Sequence, residues 1–302
     1  MTTLDDRRAR IDALPDRQPL GSGTRMFQDA GLITHVLTQG SGFLLMAMDP
    51  AFSAVAQQYS TFRTDPIGRA VRSLYSVMTW VYAGPASLAE ADRLREAHAH
   101  LRAEGEDGTR YTALAADSWA WVMHTTIWAH FTHTARFSRR PLTTTETEAV
   151  YREAIQLMRN LVLAPDHIPP TYAEWDTWFT DQLTHRLRNT DTARQYLAVI
   201  ATLAPPTHLS PLRRLLWRAA AAPLRPLLML CTVGTLPEPA RRTLGLHWSR
   251  RRERTLRAVS WGIAHLLPLL PQRLRYLPIA YEAHRAERAR ARLDTAIDTR
   301  PR

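Results

Sequence analysis

A long segment compatible with a helix, residues 112–137, limits the folds open to this chain more than any other feature of the sequence. Between Asp117 and Arg136 it contains no Asp, Glu, Lys or Arg, and large apolar side chains surround its whole circumference. A surface helix would keep one charged or polar face. The segment therefore predicts a helix buried at the centre of the fold, with other helices packed around it.

The central segment also contains polar side chains that need partners once they are buried. His124, His130 and His133 are the largest of them, and threonines accompany them. A backbone carbonyl or a threonine hydroxyl would satisfy any one of these histidines, but the set as a whole favours a pocket wall. We expect that wall to carry the following residues: Trp119, Met123, His124 and Ile127.

Short capping patterns mark further helix starts. A Ser or Thr followed three residues later by Glu, the capping box, occurs at 87–90, 143–146 and 171–174. A capping residue followed by proline, which suits the first helical position, occurs at 65–66 and 210–211. The alternating apolar and polar runs that are typical of strands are missing, so a sheet core is not expected.

These signals predict an all-α protein, a single large helical domain over residues 1–302 with a buried central helix and a pocket beside it. A chain of 302 residues with 45% hydrophobic content can bury a sizeable core. No linker is long enough to indicate independent domains. The proline-rich break at 205–209 is a candidate boundary between a cofactor core and a C-terminal helical cover.

The net charge of +11 comes from arginine alone, because the chain contains no lysine. Schiff-base and pyridoxal chemistry, which need a lysine amine, are thereby excluded. The basic composition and the arginine run at 250–254 raise nucleic-acid binding as one function class. Acidic residues are interleaved and no recognition helix is evident, so we expect no nucleic-acid partner.

Cys231 is the only cysteine. A disulfide within the chain and a zinc knuckle are therefore impossible. The glycine-rich loop that surrounds the cysteine of a thiolate-ligated haem is missing too. We expect Cys231 to be a small buried apolar side chain.

No segment is apolar over the roughly 20 residues that a membrane-spanning helix needs, because the best one, 219–234, is broken by two prolines and Arg225. Residues 266–270 are apolar between arginine-rich stretches, which fits either an interfacial membrane surface or an ordinary core helix. The first ten residues are charged where a signal peptide would be apolar. We expect a cytoplasmic protein, with peripheral membrane contact left open.

Common catalytic motifs are absent from the sequence. None of the 12 histidines has an acidic residue three positions before it, which removes the Glu-x-x-His pairs of di-iron bundles. His-Glu-x-x-His, Gly-x-Gly-x-x-Gly, the P-loop and Gly-x-Ser-x-Gly are missing as well. A haem needs far less sequence, namely one axial imidazole, an apolar slot and cationic groups for its propionates.

Two neighbouring helices could supply such groups. Arg69, Arg72 and Ser73 fall at i, i+3 and i+4 on one face of the first helix. In the second helix, His98 lies on an apolar stripe that ends at Leu101. A buried neutral imidazole is costly without a partner, and iron could be that partner.

Seven short segments, in a fixed order along the chain, carry a family resemblance. They are DPAFSAVA at 49–56, STFRTDPIGR at 60–69, YTAL at 111–114, WV at 121–122, LPEPAR at 236–241, GLHW at 245–248 and LPQRLRYLP at 270–278. Together they resemble the MpaB-type oxygenases, which are related to the latex-clearing rubber oxygenases, a group of all-helical b-type haem proteins. The resemblance implies a haem pocket, a non-covalently bound haem b, dioxygen and a small organic substrate.

The resemblance also implies roles for individual residues. His98 matches the axial histidine of a His-x-x-Val-Arg element and is the expected ligand of the iron, with His124 and His130 as alternatives. Arg69, Arg72 and Ser73 match an arginine, a lysine and a threonine on the distal side of the haem. We therefore expect these three to be catalytic.

The chain departs from its relatives at other positions. Asp49 stands where they commonly have histidine before proline, and Tyr59 stands where they have another histidine. Residues 50–64 contain no acid, so the base proposed for rubber cleavage has no counterpart. The expected function is haem b-dependent oxidation or cleavage of another apolar or small organic substrate, with Tyr59 or Ser73 over the iron. The alternative is a non-catalytic helical protein that binds haem or a small ligand.

Overall fold

The computed structural model describes residues 17–106, 108–206 and 208–298. In this part of the chain α-helices dominate, and the only sheet is a two-stranded hairpin. The predicted all-α fold is therefore confirmed. The charged N-terminal residues that motivated a cytoplasmic assignment lie outside the described part.

The helices of the first half lead up to the long central helix. They are α1 (Arg25–Asp29), α2 (Val36–Ala47), α3 (Pro50–Tyr59), α4 (Pro66–Tyr82), α5 (Ala86–His98) and α6 (Ala116–Phe137). The helices of the second half are α7 (Thr144–Asn160), α8 (Tyr172–His185), α9 (Asp191–Thr202), α10 (Pro211–Thr235), α11 (Glu238–Thr243), α12 (Arg250–Leu266), α13 (Gln272–Arg275) and α14 (Pro278–Asp298). Short 3₁₀ turns occupy Ile33–His35, Pro165–His167 and Leu267–Leu269.

Helix α6 is the predicted central helix, although it begins at Ala116 rather than near residue 112. Trp121 and His124 on it are completely buried. Its main neighbour is α2, which lies along it. The absence of charge between Asp117 and Arg136 is thus explained by burial on nearly every side.

Helix α2 lies between α6 and α10, and two glycines allow the close packing. A Cβ atom at Gly40 would lie 2.1 Å from Oγ1 of Thr232 on α10. A Cβ atom at Gly42 would lie 3.2 Å from the Cβ atom of Ala129 on α6. Because glycine has no side chain at either contact, the backbone of α2 approaches both neighbours directly.

Most of the predicted helix starts are found. Thr143 forms a complete capping box with Glu146, and Thr171 accepts a bond from the Glu174 backbone. Asp65 caps α4 ahead of a proline in the first turn. Helix α10 begins at Pro211 as predicted, although the preceding serine makes no capping bond with its side chain.

The capping box predicted at Ser87 is wrong. Helix α5 begins at Ala86, so Ser87 is already helical and its hydroxyl is buried without a partner among the described residues. Glu90 accepts a hydrogen bond from Ser76 of α4 over 2.6 Å instead. A glutamate that joins two helices has the same spacing in the sequence as one that closes a cap.

The sequence also missed a hairpin after α5. The helix ends at His98, so Leu101 does not continue its apolar stripe. Strands β1 (Arg102–Glu104) and β2 (Arg110–Thr112) follow and pair antiparallel, with Ala103 opposite Tyr111. The turn between them contains Gly108 at a φ of +77°, a conformation that glycine adopts at little cost.

The C-terminal helices pack directly on the N-terminal ones. The connection between α9 and α10 contains the proline break predicted at 205–209, but α10 runs along α2 and α12 packs on α6. Cys231 is completely buried where α10 meets α12, and burial raises the pKa of its thiol to about 12. Within the described residues, no helix has the length and apolar character to cross a bilayer.

Candidate functional site

His98 is half-buried at the last position of α5. Its Nδ1–H donates to the Leu94 carbonyl over 2.8 Å, and because a carbonyl only accepts, this bond fixes the proton on Nδ1. No residue in the described part of the chain hydrogen-bonds to Nε2. Histidines that bind a metal through Nε2 are usually oriented by such a bond from the other ring nitrogen.

Trp119 of α6 packs against His98, with the two ring centroids 5.6 Å apart. The indole Nε1–H donates to the Leu161 carbonyl over 3.0 Å, which fixes the orientation of the ring. Two further residues on the same face of α6, Val122 and Thr126, are only half-buried although the helix is central. The α6 face beside His98 is therefore less tightly packed than the rest of this helix.

Arg69 of α4 donates through Nη1 to Oγ of Ser73, one turn later. Burial and the nearby charge of Arg72 lower the pKa of Arg69, yet a guanidinium stays protonated in proteins. Burial also lowers the pKa of His98, and the charges of Arg69 and Arg93 add to that effect. The neutral imidazole is thus favoured next to a fixed positive charge.

Tyr196 of α9 completes this group of side chains. Burial raises the pKa of its phenol, and the positive charge of Arg69 partly offsets the shift. Its ring lies 5.7 Å from that of Phe43 on α2, centroid to centroid. No hydrogen bond joins its hydroxyl to any residue of the described chain. The charge of Arg69 influences both Tyr196 and His98, so α4, α5 and α9 bring these three side chains near one another.

Comparison with known families supplies the wider context. A family model described as "ER-bound oxygenase mpaB/B'/Rubber oxygenase, catalytic domain" matches residues 28–265. The chain belongs to this family. No curated protein and no solved structure matches the chain significantly. The matched residues run from α1 to the end of α12. They include all the residues of the candidate site described above: Arg69, Ser73, His98, Trp119 and Tyr196.

Two residues predicted for the oxygenase site lie elsewhere. Arg72 is exposed and donates to Asp65 over 3.1 Å and to Thr61 over 2.9 Å, on a surface groove of about 400 Å³ between α4 and α5. The hydroxyl of Tyr59 donates to the Arg102 carbonyl over 2.9 Å, with the residue 44% exposed. The structure therefore gives both side chains hydrogen-bond partners other than His98.

Three residues of the predicted pocket wall are packed in the main core of this oxygenase domain. Met123 and Ile127 are at most 3% exposed among other apolar side chains. His124 is fully buried; its Nε2–H donates to the His167 carbonyl over 2.9 Å, and its Nδ1 accepts from Trp175 Nε1–H over 3.0 Å. An iron bond to His124 would have to displace one of these two hydrogen bonds.

His130 and His133 belong to a second cluster, which also contains His35. The ring centroid of His35 lies 3.7 Å from that of His133 and 5.1 Å from that of His130, with both pairs stacked. Burial lowers the pKa of His130 to about 4 and that of His133 to about 3, and it lowers the pKa of His35 strongly as well. The sequence analysis missed His35 because it lies in a separate short turn, far from α6 in the chain.

The described residues contain no group of three or more His, Cys, Asp or Glu side chains that could hold a metal ion. A haem iron differs, because the macrocycle supplies four of its ligands and the protein needs to add only one side chain. His98 could meet that smaller requirement, because its Nε2 has no partner in the part of the chain that the structure describes. Tyr196 was missed by the sequence analysis; the only sign of it was its position between Ala193 and Ile200 on the buried face of α9.

Proposed function

We propose that the protein is a haem b-dependent oxygenase that uses dioxygen to oxidise or cleave an apolar or small organic substrate. Membership of an oxygenase family supports the reaction class. The observation that carries the proposal is the state of His98, near the half-buried Arg69. Its Nδ1 is bonded to a backbone carbonyl, while its Nε2 has no hydrogen-bond partner among the described residues.

The residues present fit a haem. His98 would bind the iron through Nε2, and Leu94 would keep the imidazole oriented and electron-rich. Aromatic surfaces are available as well, since Trp119 of α6 packs against His98 and Phe43 of α2 packs against Tyr196. Haem, when bound, supplies the redox-active iron at which dioxygen is reduced.

The other polar residues of the site suit oxygen chemistry. Arg69 places a permanent positive charge in a half-buried setting, where electrostatic interactions are stronger than in open water. Ser73 accepts a hydrogen bond from Arg69 and so restricts its orientation. The hydroxyl of Tyr196 has no hydrogen-bond partner among the described residues, so it could donate a hydrogen bond to a substrate. Pre-aimed donors of this kind stabilise negative charge as it develops.

The proposal does not extend to polyisoprene. Residues 50–64 contain no Asp or Glu. The ionisable side chains of the candidate site, Arg69, His98 and Tyr196, are basic or phenolic. A reaction that needs a carboxylate base is therefore poorly served here. The aromatic lining favours apolar organic molecules as substrates.

Haem titration of the wild type and His98→Ala tests the proposal. The wild type is expected to bind one haem with a Soret band, and acid-acetone extraction should remove all colour because no Cys-x-x-Cys-His motif attaches it. His98→Ala should lose haem or bind it far more weakly, and added imidazole should partly restore the low-spin spectrum. His185→Ala, at a side chain that is 72% exposed, is the matched control and should bind haem normally.

Full haem occupancy in His98→Ala would contradict the assignment of the ligand. A wild type that stays colourless in excess haem would contradict the cofactor itself. Dioxygen consumption by the haem-loaded protein with candidate apolar substrates distinguishes an oxygenase from a protein that only carries haem.

A further inference from the structure

The positive charge of the protein is concentrated in one stretch of the chain. Residues 203–281 contain thirteen arginines and only two acidic residues, Glu238 and Glu253. This stretch therefore carries a formal charge of +11, which equals the charge of the whole chain, and the remaining residues sum to zero. Both glutamates are already paired, Glu238 with Arg242 and Glu253 with Arg257 and Arg136.

The same stretch carries a majority of the exposed large apolar side chains of the described structure. Leu269 is 72% exposed, Leu212 67% and Trp261 66%. We call the full set the apolar end: Leu212, Leu215, Leu216, Leu224, Trp261, Leu266, Leu269, Leu270 and Leu274. Residues 266–270 are therefore not an ordinary core helix, which was one of the two interpretations of the sequence.

The two parts of the apolar end come together because α10 and α12 pack antiparallel. Gly234, near the end of α10, lies against Leu256 in the middle of α12. Leu227 and Ile263 pack on the same small core cluster. Moving toward the start of α10 thus corresponds to moving toward the end of α12, so Leu224 and Leu266 emerge at the same end of the helix pair.

Arginines accompany the apolar end on α10 and on α13. Arg213 and Arg218 are exposed on the first turns of α10, and Arg273 is exposed on α13. Leucines and a tryptophan flanked by arginines are the side chains found in proteins that insert shallowly into a lipid surface. Each arginine near an anionic bilayer adds attraction, while each buried leucine adds hydrophobic free energy.

We propose that the apolar end docks the protein on a membrane surface that contains anionic lipid. Charge complementarity selects this occupant, since a second copy would bring another +11 stretch against the first and be repelled. Nucleic acid would match the charge but would leave the exposed leucines in water. The inference does not depend on haem and goes beyond the proposed reaction.

Vesicle flotation of the full-length protein tests the proposal. The wild type is expected to float with vesicles that contain about a third anionic lipid and to stay unbound with pure phosphatidylcholine, with binding weakened by salt. The double variant L266S/L269S should lower the bound fraction by about tenfold or more, because two exposed leucines no longer enter the lipid. R213Q/R218Q should lower it by about tenfold at low salt.

A matched control uses exposed apolar residues elsewhere. Val71 and Tyr75 on α4 are 48% and 55% exposed, and V71S/Y75S should bind vesicles like the wild type. Circular dichroism should show every variant folded, since all of the changed residues are exposed. The proposal is overturned if the wild type does not bind, or if L266S/L269S binds as the wild type does, which would indicate adsorption by charge alone.

Two other outcomes would also overturn it. Sedimentation could show a dimer that L266S/L269S dissociates, with no vesicle binding, which would assign the apolar end to self-association. Duplex DNA could bind tightly while vesicles do not, which would assign the arginines to nucleic acid. The haem content of each variant is measured in parallel, so a failure of membrane binding is distinguished from a failure of the haem assignment.

Discussion

Tyr151 is fully buried and Tyr196 is half-buried. Burial raises the pKa of both phenols, but their hydroxyl groups differ. Tyr151 donates to the Pro169 carbonyl over 2.7 Å, whereas Tyr196 bonds to none of the described residues. A hydroxyl that satisfies no protein group at such a position contributes little to folding. The hydroxyl of Tyr196 is instead available to hydrogen-bond to a bound molecule.

Tyr196→Phe is expected to leave the free energy of unfolding within about 0.5 kcal/mol of the wild type while lowering turnover of the haem-loaded protein by about tenfold or more. Tyr151→Phe is the matched control and should show the reverse, a loss of about 1 kcal/mol in stability with turnover retained. Denaturant melts and steady-state rates of the two variants decide the matter. Equal turnover in Tyr196→Phe and the wild type would remove this phenol from the site.

Arg69 and Arg72 provide a second contrast between neighbouring residues. Arg69→Ala should keep the haem spectrum but lower activity by about 10² or more, because a preorganised donor and its charge are lost. Arg72→Ala should stay close to the wild type, since its guanidinium lies in an exposed ion pair with Asp65 and such pairs contribute little. If Arg72→Ala lowered activity more than Arg69→Ala, Arg72 would belong to the site and Arg69 would not.

Part of the candidate site could be proposed from the sequence, and the reason for the limit is physical. His98, Arg69 and Ser73 follow from spacing and from the family pattern. Met123 and Ile127 were chosen on a helix that is apolar all round, and such a helix gives no indication of which face meets a ligand. The half-buried face next to His98 belongs instead to Val122 and its neighbours. Tyr196 depends on how α9 packs, which no local pattern encodes.

At the scale of helices, one arginine holds three elements together. Arg186, just after α8, donates through Nε to Asp49 over 2.6 Å and through Nη1 to Asp117 over 2.7 Å. Its guanidinium also lies 5.1 Å from the ring centroid of Trp121. Asp49 is the residue that stands where relatives commonly have histidine, and here it caps α3 and neutralises a buried cation.

Arg186→Met is expected to destabilise the protein by about 3–5 kcal/mol, because Asp49 would remain buried without its partner. Thermal and urea unfolding measure this change. Arg194→Met is the control, since the Arg194 pair with Asp191 is about half exposed and its loss should cost at most about 1 kcal/mol. A similar small cost for both variants would show that Asp49 is solvated when Arg186 is removed.

Helix starts could be predicted wherever the capping chemistry is local. Thr143 and Asp65 cap their helices as their patterns indicate, because each bond is made within three residues. The capping box predicted at Ser87 was wrong because Glu90 accepts a hydrogen bond from the neighbouring helix α4. That contact is tertiary and leaves no local pattern. The hairpin after His98 was not predicted because its strands have three residues each, which is too short for an alternating pattern to be recognised.

At the scale of the whole molecule, buried neutral histidines make stability depend on pH. Burial holds the pKa of His130 near 4 and that of His133 near 3, and the pKa of His35 is also well below its usual value. An unfolded histidine titrates near 6.5. Below that pH the histidines bind protons in the unfolded chain but stay neutral in the folded protein. The free energy of unfolding is therefore retained above pH 6.5 and decreases as the pH falls toward about 4.

Each of these histidines should contribute about 1.4 kcal/mol per pH unit to the slope of stability between about pH 6 and pH 4.5. His130→Phe removes one of them and keeps a ring to stack on His35, so its slope should be shallower by about that amount. His185→Phe changes an exposed histidine and should leave the slope as it is. Urea melts at several pH values give the slopes, and identical slopes for His130→Phe and the wild type would disprove this account.

The position of α2 between α6 and α10 also has a consequence for how the chain is made. Gly40 meets Thr232 and Gly42 meets Ala129, so an early helix is completed only by partners that leave the ribosome much later. Contacts between residues so distant in sequence slow folding and leave apolar surface uncovered meanwhile. Termination of synthesis at the proline break before α10 would expose one side of α2 to water. The N-terminal part of this chain therefore depends on its C-terminal half to reach a folded state.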